Sequence, residues 1–463
     1  MHVIGIDTWA PQPGRVMRWT PKSDESPVPS NVPPSFNQRA HLADTEDGST
    51  WLAATFDVDG PIDTAALERA FHRLVDRHDS LRTGFVRNGD DVRRVLHPRG
   101  EVFLRREDDS DIATTPGVRD ALRAALDDAC HPFAAPAYIF AAVDRADTST
   151  VVCGFDHAHV DAYSLTIVID EVRSAYLGRE DVDTDDAGSF VDYCAAESAS
   201  RAVRLDDPRV DAWVQFLSAR GGAPPQFPLD LGVPVGLTDP SAMRVDELMS
   251  AGESAEFEST CRNLGAGMYV GVLSAMAHAV RDLGGGSALP LLFPLHTRTT
   301  AERRTSIGWF VTNAPLTVSV GRDLMDTIER TAPDLRRAVD LGSVPIPRVV
   351  EAAGGLQRPR RNVFMVSYVD YRRLPAHDIA TRIAAHHISN VTVADDAQFW
   401  LSRTSEGIAL RSRFPDNAVA HAVIESFLAA LGAHLGGAGH AVAIPGTPGI
   451  GETSVTPRSF AVT

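Results

Sequence analysis

A short apolar run rich in β-branched residues, Val151 to Phe155, leads without a break into Asp156-His157-Ala158-His159-Val160-Asp161. From Ser164 the pattern turns helical, with Leu165, Ile167, Val168, Ile169 and Val172 on one apolar side. A buried strand, a polar turn and an amphipathic helix in that order require a mixed α/β fold. They also set two histidines and an aspartate at a strand end.

The rest of the chain repeats these themes. Trp51 to Val58 reads as a strand, and Asp63 caps a helix whose Ala66, Leu67, Ala70, Phe71, Leu74 and Val75 recur at three- and four-residue spacing. A second α/β region carries a helix near 269–282, strands near 289–295 and 362–369, and a late helix from about 418 to 435. At 463 residues the chain suits two lobes of roughly 200 residues each. We expect an extended, proline-rich leader over 1–36, a first lobe over 37–180, a linker over 181–240, a second lobe over 241–438 and a disordered tail over 439–463.

His157, His159 and Asp161 stand at alternate positions, and that spacing supports two chemistries. The first is a zinc site, since imidazoles and a carboxylate are ordinary zinc ligands. A zinc motif of this type continues with a histidine directly after the aspartate, but Ala162 stands there. The next histidine, His278, falls inside an expected helix. No metal is therefore expected. The second chemistry is general-base catalysis by His157, with Asp161 four residues on. A neutral imidazole with a pKa near ~6.5 takes a proton from a hydroxyl or an amine at neutral pH.

Four ordered segments decide between them. Arg77-His78-Asp79-Ser80-Leu81-Arg82-Thr83-Gly84-Phe85 closes the first helix, and Ser35-Phe36-Asn37-Gln38 precedes it. Pro294-Leu295-His296-Thr297-Arg298 and Ile307-Gly308-Trp309-Phe310-Val311-Thr312-Asn313-Ala314-Pro315-Leu316 follow the histidine segment. Together these resemble the signature elements of the condensation-domain and chloramphenicol-acetyltransferase-like superfamily, with Asp156 to Ser164 in place of its HHxxxDGxS. The opening Asp7-Thr8-Trp9-Ala10-Pro11 and the later Phe414-Pro415-Asp416-Asn417 are similar to actinobacterial polyketide-associated acyltransferases, among them mycobacterial enzymes that acylate trehalose. Two positions depart from the superfamily pattern: Asp156 replaces its first motif histidine, and Ala162 its glycine.

The resemblance implies two chloramphenicol-acetyltransferase-like lobes in a V, with a central tunnel. It implies a cofactor-free acyltransferase that moves an acyl group from a phosphopantetheine thioester, on CoA or an acyl carrier protein, to a small-molecule acceptor. His157 would be the base, Asp161 and Arg298 a pair supporting the site, and Ser164, Trp309 and Asn313 tunnel-lining residues. A hydroxyl acceptor and an ester product fit the trehalose-acylating group. The same base serves an amine, as in free-standing condensation enzymes, and some relatives are inactive scaffolds. A monomer is expected from the resemblance as well.

Composition narrows the partners. The net charge of −17 opposes a nucleic-acid partner, whose binding rests on Lys and Arg. It also opposes an acidic carrier protein unless arginines gather locally. Cys130, Cys153, Cys194 and Cys261 form no CxxC pair, and the start of the chain lacks the basic and apolar regions of a signal peptide. With no unbroken run of about 18 apolar residues, no transmembrane segment and a cytoplasmic protein are expected. Gly265 to Gly271 superficially resembles a dinucleotide loop, yet follows a helix end rather than a strand. Neither a GxSxG elbow nor a GxxxxGK[ST] phosphate loop is present.

Overall fold

The computed structural model describes all residues except 44–49, 90, 108, 135, 180–186, 200–202, 391 and 439–463. Two large sheets organise it. Among the described residues the first has eight strands and the second seven, and each is flanked by helices.

Thr148–Asp156 lies at the centre of the first sheet, antiparallel to both Trp51–Asp59 and Tyr138–Asp144. Every residue from Ser149 to Asp156 is buried, so the strand packs on both faces. One face meets the helices Thr64–Arg77 and Ala162–Tyr176; the other meets Val118, Leu122 and Leu126 of the helix Thr115–Ala129. The Thr64–Arg77 helix begins where Asp63 accepts a hydrogen bond from the Ala66 amide, and it buries the six apolar residues that its spacing predicts. Gly154 lies directly over that opposite helix. A Cβ there would stand 1.9 Å from Leu126 Cδ2.

The second sheet runs Val311–Ser319, Ala288–His296, Met365–Asp370, Gln398–Arg403, Gly407–Pro415, Asp239–Ser250 and Val393–Ala394. The helix Met268–Asp282 is buried along nearly its whole length against it. Gly265, at φ +70°, and Gly267, the N-cap, form the entry turn of that helix. This accounts for the glycine pattern without a nucleotide.

Three expectations change. Residues 1–36 are not a leader: His2–Gly5 and Gly14–Ser23 are strands of the first sheet, and Met17 and Trp19 lie in its core. Pro21 is accommodated because Gly14–Ser23 changes partner midway. Residues 15–19 pair with Tyr138–Asp144, while Pro21 lies beyond that stretch, paired only with Leu104. The proposed linker holds the helices Phe190–Ala199 and Pro208–Ser218, whose buried faces carry Phe190 and Trp213. The lobes also do not divide by sequence. His386–Ser389, late in the chain, inserts into the first sheet between His2–Gly5 and Trp51–Asp59.

The last described helix, Ala418–Ala438, corrects the reading of apolar runs. Ala418–Gly436 is long and apolar enough, by length and composition, to cross a bilayer. Many of its residues are Ala and Gly, which raise hydropathy without giving an obvious apolar block. Here Ala420, Ile424, Phe427, Leu431 and Leu435 pack into the second-lobe core. The expected disordered tail lies outside the described residues.

Candidate active site

His157 sits one residue past the central strand. Its amide donates to the Thr50 carbonyl at 3.0 Å, and its Nδ1 lies 2.9 Å from the Val160 carbonyl. A carbonyl only accepts, so Nδ1 carries the proton and Nε2 is left as the proton acceptor. The imidazole stacks on the Trp309 indole, with centroids 3.9 Å apart and planes 20° from parallel. Burial first, and then neighbouring His41, push its pKa down to about 4. At neutral pH the His157 imidazole is uncharged, with a fixed tautomer.

The turn that carries it is braced at every residue. Gln38 Nε2 donates to the Ala158 carbonyl at 2.7 Å, and Arg94 holds the Gln38 amide oxygen. Ser80 and His159 exchange two bonds: Ser80 Oγ donates to the His159 carbonyl at 2.7 Å, and His159 Nδ1 donates to the Ser80 carbonyl at 2.8 Å. Asp161 caps the helix Ala162–Tyr176 and binds Arg298 through both oxygens, at 2.6 and 2.9 Å. It also accepts from the Phe310 amide. The motifs that are scattered along the sequence thus converge on one five-residue turn.

Asp161 and Arg298 are both almost fully buried, so their charges depend on each other. Arg298 lies between the rings of Tyr163 and Phe310 and donates further to the Ser306 and Gly308 carbonyls. Gly308 has no room for a side chain, since a Cβ would stand 2.4 Å from the Phe190 ring. Ser164 corrects its expected tunnel-lining role. It is fully buried and bonded to Asp161, Arg298 and Gly308, so its hydroxyl belongs to the brace and not to the cavity wall.

The cavity, about 370 Å³, opens between the sheets. His157, Trp309 and Asn313 line it. So does His41, a residue that motif reading passes over. His41 Nε2 lies 3.0 and 3.1 Å from the two oxygens of the fully buried Asp156, and its ring is 6.3 Å from that of His157. The departures at Asp156 and Ala162 now have a structural account. Asp156 also accepts from the Ala158 amide, so the turn is tied down by a carboxylate paired with an imidazole from elsewhere. Ala162 is the first residue of its helix and lies outside the left-handed region, so glycine is not needed there.

Zinc does not suit this geometry. His159 points to Ser80, Asp161 has both oxygens in the Arg298 pair, and among the described residues no three His, Cys, Asp or Glu side chains converge as metal ligands.

Residues 38–388 match the family model described as Condensation domain. The chain belongs to the condensation-domain family. Acyltransferase PapA3 of Mycobacterium tuberculosis is 28% identical over 453 residues, covering 92% of this chain and 94% of that one. The 2'-acyl-2-O-sulfo-trehalose (hydroxy)phthioceranyltransferase PapA1 of the same species is 28% identical over 466 residues, covering 93% of this chain and 87% of that one. Among solved structures, PapA2 acyl transferase superposes with a TM-score of 0.86 at 23% identity, over 95% of this chain and all of that one. The X-domain from teicoplanin biosynthesis gives a TM-score of 0.67 at 18% identity, over 90% of this chain and 97% of that one. This condensation domain is an acyltransferase, on the fold shared by those proteins.

Proposed function

We propose that the protein transfers an acyl group from a phosphopantetheine thioester to an acceptor hydroxyl, with His157 as general base and no cofactor. The observation that carries this reading is the His157 imidazole, held by the Val160 carbonyl at Nδ1 and by Trp309 on its face, at the wall of the inter-lobe cavity.

The acceptor hydroxyl gives its proton to Nε2 as its oxygen attacks the thioester carbonyl. The tetrahedral adduct then expels the thiolate, which takes that proton from the imidazole and leaves as a thiol. One C–O bond forms, one C–S bond breaks, and His157 ends neutral. Holding both reactants across the cavity supplies much of the rate. Asp161 and Arg298 hold the turn and take no part in proton transfer.

A sugar hydroxyl in lipid metabolism is the acceptor class supported by the relatives, which include Trehalose-2-sulfate acyltransferase PapA2 of Mycobacterium bovis, 27% identical over 454 residues. CoA or an acyl carrier protein serves as donor. Four buried, unpaired cysteines accord with the reducing cytoplasm.

The test supplies the purified protein with acyl-CoA or an acyl-carrier thioester and with trehalose or trehalose 2-sulfate, and follows the ester by mass spectrometry. His157→Ala is expected to lower kcat by about 10²–10⁴-fold. Equal turnover by the two proteins sinks the assignment.

A further inference from the structure

The cavity is basic in a chain whose net charge is −17. Arg358, Arg361, Arg411 and Arg413 line it, and the single carboxylate among the described lining residues, Asp161, is taken by Arg298.

Arg411 lies deepest. Its residue is 6% exposed, its guanidinium sits 4.2 Å from the Trp400 ring, and no carboxylate pairs with it among the described residues. Among the described residues its one side-chain hydrogen bond runs from Nη1 to Ser389 Oγ at 3.1 Å, and Nε has no partner there. Ser389 belongs to the strand His386–Ser389, on which His387 stands two residues earlier on the same face. His387 is 4% exposed, lines the cavity, and among the described residues has no partner at either ring nitrogen. A buried cation without a counter-charge and a buried imidazole without a hydrogen bond each cost free energy in the empty protein. Both costs fall when an anion enters.

We infer that Arg411 and His387 form an anion subsite in the inter-lobe cavity, taking a sulfate or phosphate group carried by a substrate. The guanidinium supplies the charge and two N–H donors, and the imidazole adds one more donor. Trp400 backs the guanidinium and Ser389 fixes its direction. The inference deepens the acyl-transfer reading and rests on it for the identity of the substrate that brings the anion. That anion comes either from a sulfated acceptor or from the phosphates of the donor arm.

Inorganic sulfate, compared with chloride at equal ionic strength, is the first probe, read by tryptophan fluorescence and melting temperature without turnover. Sulfate is expected to bind and raise the melting temperature, and Arg411→Gln to weaken it by about tenfold or more, as for a charge-assisted hydrogen bond. His387→Leu guards against an Arg411 variant that does not fold. It removes two unpartnered nitrogens, so it is expected to raise the melting temperature while weakening sulfate; a purely structural His387 would lose stability instead. Kinetics then locate the source. If the subsite holds the acceptor, Arg411→Gln lowers the preference for trehalose 2-sulfate over trehalose. If it holds the donor, the loss appears with acyl-CoA and disappears with an acyl-N-acetylcysteamine thioester, which lacks phosphates. Sulfate binding through Arg411 without acylation of any hydroxyl keeps the subsite and overturns the function. Sulfate that binds no better than chloride overturns the subsite.

Discussion

His157 offers the clearest measurement at the level of one side chain. An ordinary histidine base loses activity as pH falls through its usual value near 6.5, whereas burial depresses the pKa of His157, the proposed base, to about 4. We expect kcat/KM to hold nearly constant from neutral pH down to about pH 5 and to fall only near pH 4. A fall centred near 6.5 in the pH–rate profile would contradict the assigned environment. Stability moves with the same group. Between about 6.5 and 4 the unfolded chain binds a proton that folded His157 refuses, so His157 makes stability decline as pH is lowered through that window. Urea midpoints between pH 7 and pH 4.5 follow that sign, with His157→Gln reducing the slope. The pair His41–Asp156 gives a second test. His41→Ala removes the imidazole held against the buried Asp156 carboxylate and is expected to cost about 1–3 kcal/mol in chemical denaturation. Asp156→Asn in the same protein should recover part of that loss, a coupling that two independent sites would not show.

Secondary-structure elements explain what the sequence revealed and what it hid. The strand-turn-helix unit around residues 151–176 was legible because burial and periodicity are local properties of those residues. His157, Asp161, Arg298 and Trp309 were legible through motif resemblance. His41 was not, although it stands three residues after Gln38, close on the same turn of the helix Phe36–Ala43. Asp156 was the available signal: a buried acid in place of a histidine needs a basic partner. His387 and Arg411 left no local trace at all, because they meet across strands of different sheets. Gly308 tests the bracing at this level. Alanine there would press on the rigid Phe190 ring and is expected to destabilise by about 1–3 kcal/mol, with kcat falling as the Asp161 brace shifts. A smaller residue in place of Phe190 should restore part of both, as measured by thermal melts and turnover.

For the molecule as a whole, the Asp161–Arg298 pair joins the first-lobe turn to the chain just after the second-lobe strand Ala288–His296. Removing one partner strands a buried charge, so Arg298→Ala is expected to cost about 3–5 kcal/mol in urea denaturation. If that loss is under 1 kcal/mol, the pair is not the clamp described. Proline density in the first 36 residues suggested a segment outside the fold, because composition reports what a chain favours locally and not which sheet edge awaits it. His2–Gly5 becomes a strand only because His386–Ser389 is beside it.

That late strand also has a consequence for biosynthesis. While the chain emerges from the ribosome, the first sheet lacks an interior member, and Trp51–Asp59 presents an open edge until residue 389 has been made. The amino-terminal half must therefore wait, partly assembled, for most of translation. A product ending near residue 380 should stay soluble only with a chaperone, whereas the full chain should fold unaided.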